Sequence, residues 1–424
     1  MIDFLLAALL QSFPAPAPEA GEAGFGAGIQ RTMTLLATST PQKRNSVRVL
    51  FYGQSITEQE WTKTVADDLR RRFPHADLDI RNRAIGGWAS QLLIRPAEHD
   101  LYPFYPDLLI FYVYGDHTKY DEIIRQTRTR TTAEVLMLTE HMAVGDQKWP
   151  ETMSTKLLPE IARKYGAELA DIRSPWKAYL ETNKLDAQKL LKDAVHLNEH
   201  GNFLMAELVK RRLRYDPKRR PEETVKDVAP AWKDGLLRLE FEGNRVDAVV
   251  DGPPGASAVL RIDGKAPDTY AFTRPNDVPG WVWVTGVLTR VDWEKPRVAE
   301  DWTLKITEWK GPKDFRYAVA GSTTGPDGEG SSAAKFVSTS GRVAIDPKDF
   351  FFENCKKPFA AGFEIKWSCR PLFADPFVVP PPRGPGLETS TTLVQDLPNG
   401  KHLLELKAGK PLPIKLLRIY KPAK

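Results

Sequence analysis

The stretch VRVLFYGQSIT, residues 47–57, decides the fold. Val47 to Tyr52 form an apolar run that stops at Gly53 and gives way to the polar pair Gln54 and Ser55. A short apolar run of this kind reads as a strand covered on both faces, as in a parallel sheet. Gly53 permits a tight exit, and Ser55 then stands where the strand hands the chain to a helix.

Similar runs recur downstream: ADLDIRN at 76–82, PDLLIFYVY at 106–114, AEVLMLT at 133–139 and AELADI at 167–172. Between them, EWTKTVADDLRRRF, SQLLIRPAEHDL, KYDEIIRQTR and ETMSTKLLPEIARKYG carry apolar residues three or four apart, and NEHGNFLMAELVKRRL closes the series. Strands alternating with helices predict a parallel five-stranded α/β unit with helices on both faces. After DPKRRPEETVKD the pattern changes to alternating strands such as GLLRLEFEG, SAVLRIDG, GWVWVTGVL and LLELKA, separated by Gly, Pro and Asp. That half is expected to be an antiparallel β-sandwich. GSTTGPDGEGSS, residues 321–332, reads as a turn-rich loop without the spacing of a calcium loop.

The chain has 424 residues and 42% apolar content, enough for two domains. Its net charge of +5 is spread over interspersed acids and bases, which leaves no broad footprint for nucleic acid. The densest basic run, VKRRLRYDPKRRP at 209–221, falls at an expected helix end and reads as dipole compensation on a solvated face, with contact to an acidic sugar polymer as the other reading. No apolar stretch reaches the length of a membrane helix. The opening MIDFLLAALLQSFPAPAPEAGEAG has a short apolar core and a Pro/Ala-rich tract, so residues 1–24 read as an export signal or a disordered terminus. Cys355 and Cys369 suit one bridge or two buried thiols, and neither sits in a metal-binding pattern.

Ser55 alone could be a helix cap, part of a phosphate-binding turn, or a nucleophile. The phosphate reading lacks the Lys-Ser/Thr pair and the GxGxxG that it needs. A nucleophile needs a base and an acid that orients it, and KDAVHLNEHG at 192–201 supplies both. Three residues of separation let Asp193 meet the Nδ1–H of His196, leaving Nε2 free to take a serine proton.

The combination resembles the SGNH, or GDSL-like, hydrolase family over roughly residues 47–215. GQSIT is similar to its first block, with Ser55 as nucleophile, and DAVHLNEHG to its last, with Asp193 and His196. Gly86-Gly87 in NRAIGGWAS is similar to the second block, which implies that the amide of Gly87, with that of Ser55, contributes to an oxyanion hole. Gln54 replaces the usual aspartate. The third block departs most: alignment places Asp116, followed by His117, where the family has an asparagine donor.

The resemblance implies a flavodoxin-like three-layer α/β domain over residues 25–216, and the change of hydrophobic pattern adds an all-β sandwich over 225–424. It also implies a serine esterase that removes a small acyl group, acetyl foremost, from a carbohydrate, with no metal or organic cofactor. Either Asp116 is then neutral, buried against Tyr112, Tyr114 and Trp88 and donating to the oxyanion, or the hole is built differently, or Asp116 performs chemistry of its own. Trp61, Trp88 and Tyr114 are expected as aromatic walls of the substrate pocket, and Glu140, His141 and Arg173 as polar residues at the same sheet edge. Two other classes remain open: a glycoside hydrolase using Asp116 and a second carboxylate such as Glu140, and a non-catalytic carbohydrate-binding protein.

Overall fold

The structure is a computed structural model that describes residues 13–276, 287–352 and 359–423. Its first half is built on five parallel strands: β1 (Ser46–Gly53), β2 (Asp77–Asn82), β3 (Leu108–Tyr112), β4 (Glu134–Leu138) and β5 (Glu168–Ala170). They lie in the order β2-β1-β3-β4-β5, the flavodoxin-like arrangement. Because successive side chains point to opposite faces, β1 feeds two cores at once. Val49 and Phe51 pack with Trp61 and Leu204, while Leu50 and Tyr52 pack with Phe111 and Ile123. That division explains why β1 is apolar throughout rather than alternating.

Helices Glu60–Arg72 and Glu199–Arg212 pack together on the first of these faces. Two helices, Gln30–Ala37 and Arg173–Thr182, go beyond the sequence reading. SQLLIRPAEHDL, expected as one helix, is two short turns, Ser90–Leu93 and Ala97–Asp100. Pro96 lies between them and supplies no N–H to continue the first.

The second half is antiparallel, as expected, but it has two cores. Five-stranded and four-stranded sheets form a sandwich around Leu237, Phe241, Leu260, Leu404 and Leu417. Between Ile262 and Phe373 the chain leaves this sandwich and builds a separate five-stranded sheet with its own core, including Trp302, Ile306, Tyr317 and Trp367. Period-two alternation looks the same in both units, so the sequence pattern could not divide them. The stretch 321–332 is a hairpin rather than a loop: Gly325–Ser331 is a strand paired with Asp314–Gly321. GWVWVTGVL lies mostly outside the described residues, and so does Cys355; Cys369 is buried in the inserted core.

Residues 13–24 are neither disordered nor detached, which corrects the expectation for that part of the terminus. Tyr179 donates to the Pro14 carbonyl at 2.9 Å, Arg211 donates to the carbonyls of Pro16 and Ala17, and Arg212 pairs with Glu19 at 2.6 Å. The Arg212 guanidinium also lies 3.3 Å from the centroid of the Phe25 ring. Arg211 and Arg212 of the basic run thus fasten the N-terminal segment, while Lys218 and Arg220 lie on a solvated face as expected. Residues 1–12 lie outside the described residues.

The two halves meet through buried polar contacts. Tyr105 donates to Asn244 Oδ1 at 2.7 Å and lies against Tyr420 and Arg245, while Asn244 donates to the Arg130 carbonyl. His99 reaches the inserted unit: its Nδ1–H donates to the Phe272 carbonyl, and Nε2 accepts from the Val291 N–H at 3.3 Å. This arrangement requires a neutral ring, and burial pushes the His99 pKa down to about 3. The unfolded chain takes up a proton near the ordinary histidine pKa, whereas the folded chain resists it. Stability from this group is therefore complete above about pH 6.5 and is lost as pH falls toward 3. His99→Gln can keep both hydrogen bonds without titrating. Urea unfolding at pH 7 and pH 4 is expected to show a smaller loss in His99→Gln than in wild type, by on the order of 2–3 kcal/mol.

Candidate active site

Ser55 sits in a tight turn between β1 and the helix Glu60–Arg72. A Cβ on Gly53 would come within 2.0 Å of the Tyr112 carbonyl oxygen, so only glycine lets β1 leave the sheet here. In the turn, Thr57 N–H donates to the Gln54 carbonyl at 2.7 Å and Glu58 N–H to the Ser55 carbonyl at 3.2 Å. The helix cap position belongs to Gln59, so Ser55 is not a cap.

The chain brings His196 to this serine from 141 residues away: His196 Nε2 lies 2.9 Å from Ser55 Oγ. His196 Nδ1 is 2.8 Å from Asp193 Oδ2. The other carboxylate oxygen, Asp193 Oδ1, accepts from the backbone N–H groups of His196 (2.7 Å) and Val195 (2.9 Å). These donors, the backbone N–H of His196 foremost, hold the Asp193 carboxyl down to about 2. It is therefore ionised at neutral pH.

Three contacts fix the loop carrying His196. Gln59 clamps Leu197 reciprocally, donating to its carbonyl at 2.9 Å and accepting from its N–H at 3.1 Å. Val144 N–H donates to the Ala194 carbonyl. His141 Nε2 bonds the Val195 carbonyl at 2.9 Å, and its Nδ1 lies 2.7 Å from the Tyr112 hydroxyl. Burial lowers the His141 pKa to about 4, so the ring is neutral, with Nε2 donating and Nδ1 accepting. Arg173, only 1% exposed, donates to the His141 carbonyl and pairs with Glu151.

An open cavity of about 920 Å³ lies beside the serine and histidine. Its walls include Phe13, Ser55, Glu58, His196, Glu199 and Phe203. The aromatic residues expected to line it do not. Trp61 is fully buried and donates to the Ile56 carbonyl, Trp88 is fully buried against Phe351, and Tyr114 bonds Tyr112 and His141. Glu140 and His141 are also buried, and neither lines the cavity. Burial pushes the Glu140 carboxyl up to about 7 despite Arg173 nearby.

Asp116 requires a correction as well. It is exposed and caps the helix His117–Arg130, accepting from the Thr118 N–H at 2.7 Å and the Thr118 hydroxyl at 2.6 Å. The Thr118 hydroxyl and N–H hold its carboxyl below the usual range. An ionised cap cannot be the neutral, buried donor that was expected. Asp116 is exposed and Glu140 buried, and neither lines the cavity beside Ser55, as paired acid and base there would need to. Gly87 is exposed with φ +77°, and the neighbouring Gly86 N–H is taken by Glu58.

Gln59, Phe13 and Phe203 were not singled out from sequence. Gln59 lies in a polar turn indistinguishable from any helix start, and Phe13 lies in a terminus whose composition suggests a leader.

No protein-family model matches the chain, and no curated protein sequence matches it. Among solved structures, it is similar to an acetylxylan esterase from Geobacillus stearothermophilus, at 17% identity and a TM-score of 0.36, over 42% of this chain and 98% of that one. It is also similar to a two-domain esterase active on acetylated mannans, at 16% identity and a TM-score of 0.35, over 89% of this chain and 92% of that one.

Two expectations follow from the geometry. Asparagine caps helices as well as aspartate does, so Asp116→Asn should leave the melting temperature and the pH profile of Ser55 reactivity unchanged, while Asp116→Ala should cost about 1 kcal/mol. His141→Phe removes the bond to the Val195 carbonyl. Its rate of labelling by a fluorophosphonate, which reports Ser55 reactivity directly, should fall roughly 10- to 100-fold, with circular dichroism checking that the fold persists.

Proposed function

We propose that the protein is a serine esterase that removes a small acyl group, acetyl foremost, from a carbohydrate. The observation that carries this reading is the unbroken chain of contacts from Ser55 through His196 to Asp193 at the edge of an open cavity.

In this reaction Ser55 Oγ attacks the ester carbonyl while His196 Nε2 takes its proton. The C–O bond to the sugar then breaks, and His196 returns the proton to the leaving sugar oxygen. Water attacks the acyl-serine with His196 again as base, releasing the carboxylic acid and restoring Ser55. Asp193 fixes the Nδ1–H tautomer and stabilises the imidazolium that forms. The backbone amides of Ser55 and Gly87 receive the oxyanion. No side chain at position 116 assists them, so this hole has one donor fewer than the family pattern implies.

Carbohydrate as the acyl carrier is supported by the size and openness of the cavity, which far exceeds an acetyl group.

The test is turnover of p-nitrophenyl acetate and of acetylated polysaccharides. Ser55→Ala and His196→Ala should each lower kcat by at least about a thousandfold, and the double variant should be little worse, because the two groups act as one unit. Retention of substantial turnover by Ser55→Ala would remove the serine from the mechanism.

A further inference from the structure

The triad leaves one wall of its cavity unexplained. Phe13 lies flat on His200, with ring centroids 4.1 Å apart and planes 8° from parallel, and 5.6 Å from Phe203. His200 and Phe203 both come from the helix Glu199–Arg212, whereas Phe13 comes from the N-terminal segment. A relay holds the three in place: His200 Nε2 lies 2.7 Å from the Tyr179 hydroxyl, which donates to the Pro14 carbonyl beside Phe13. Further along the segment, Arg212 and Glu19 close a second attachment. Phe13 and Phe203 are nonetheless only half-buried, and both line the cavity that holds Ser55 and His196.

Such a wall exceeds what folding requires. Two partly exposed phenyl rings facing a cavity are poor partners for water and good ones for an apolar face. The charges around them narrow the choice of ligand. Glu58, Glu60 and Glu199 line the same cavity, against Lys192 as the one cation in its lining; Glu60 is partly offset by Lys63 on the surface. A carboxylated sugar would meet like charge on entry. A neutral pyranose offers a face of C–H groups to the aromatic wall and hydroxyls to the acidic rim.

We propose that Phe13 and Phe203 form a subsite, completed by the N-terminal segment, that takes a sugar ring of an uncharged oligosaccharide while its ester is presented to Ser55. The proposal rests on the esterase reading for its substrate but not for its test. Binding is measured by calorimetric titration of the full-length Ser55→Ala protein with acetylated xylo- and manno-oligosaccharides and with oligogalacturonate as the charged counterpart. A neutral oligosaccharide should bind more tightly than oligogalacturonate. Phe13→Ala should weaken that binding about 5- to 10-fold, and Phe13→Trp should restore it. If Phe13→Ala proves unfolded, Phe203→Ala probes the same wall and should show the same loss.

In the catalytically competent protein, Phe13→Ala should lower the ratio of kcat/KM on acetylated oligosaccharide to that on p-nitrophenyl acetate by a similar factor. A purely structural role would leave this ratio unmoved. Unchanged binding in the variants, tighter binding of oligogalacturonate, or no binding of any neutral oligosaccharide overturns the subsite. Failure of the wild type to cleave any ester while neutral oligosaccharide still binds through Phe13 overturns the esterase reading alone.

Discussion

Everything at the site depends on one hydrogen bond that the chain must close over 141 residues, between Ser55 Oγ and His196 Nε2. A loop of that length has no intrinsic tendency to bring its ends within 3 Å, and the entropy of closure opposes it. The parallel sheet solves the problem. All five strands run in the same direction, so the exit of β1 and the loops after β4 and β5 lie at one edge. The helix Glu199–Arg212 packs against the helix that follows Ser55, so the loop before it comes to the same place. The glycine at position 53 then sets the serine's height above the sheet, since any side chain there would strike β3.

Around that bond the protein separates groups open to solvent from the buried groups that hold them. Ser55, His196 and Asp193 keep contact with solvent. Behind them stand the buried polar residues His141, Arg173 and Tyr112, joined by hydrogen bonds to one another, to backbone carbonyls and to the side chains of Tyr114, Gln147 and Glu151. A buried neutral histidine with both nitrogens bonded has one tautomer and one orientation. Fixing the Val195 carbonyl with such a group limits the motion of the next residue, His196. The same burial pushes the Glu140 carboxyl up to about 7 and keeps it out of the cavity.

Much of this was legible in the sequence because it depends on local pattern. The five strands and most of their helices follow from runs of apolar residues, and Ser55, Asp193 and His196 follow from where polar residues interrupt them. Side-chain direction was not legible. Trp61 and Trp88 flank the site in sequence yet turn inward, because the helix and turn carrying them bury those faces. Asp116 aligns with a donor position, but a short side chain before a helix finds the N–H two residues ahead more readily than a distant oxyanion. Long-range pairing was also hidden. Nothing in the spacing of Arg211 and Arg212 says that their partners lie nearly two hundred residues earlier.

That distant pairing has a consequence for how the molecule is made. Phe13 is synthesised near the beginning of the chain, but His200, Phe203, Arg211 and Arg212 follow almost two hundred residues later. At ribosomal speeds this interval is on the order of ten to forty seconds. Throughout it the N-terminal segment lacks the partners that the helix Glu199–Arg212 supplies. The cavity wall is therefore among the last features of the α/β half to form. Docking of the segment requires the helix Glu199–Arg212 to be in its place, so the wall beside the serine joins the two ends of the α/β half.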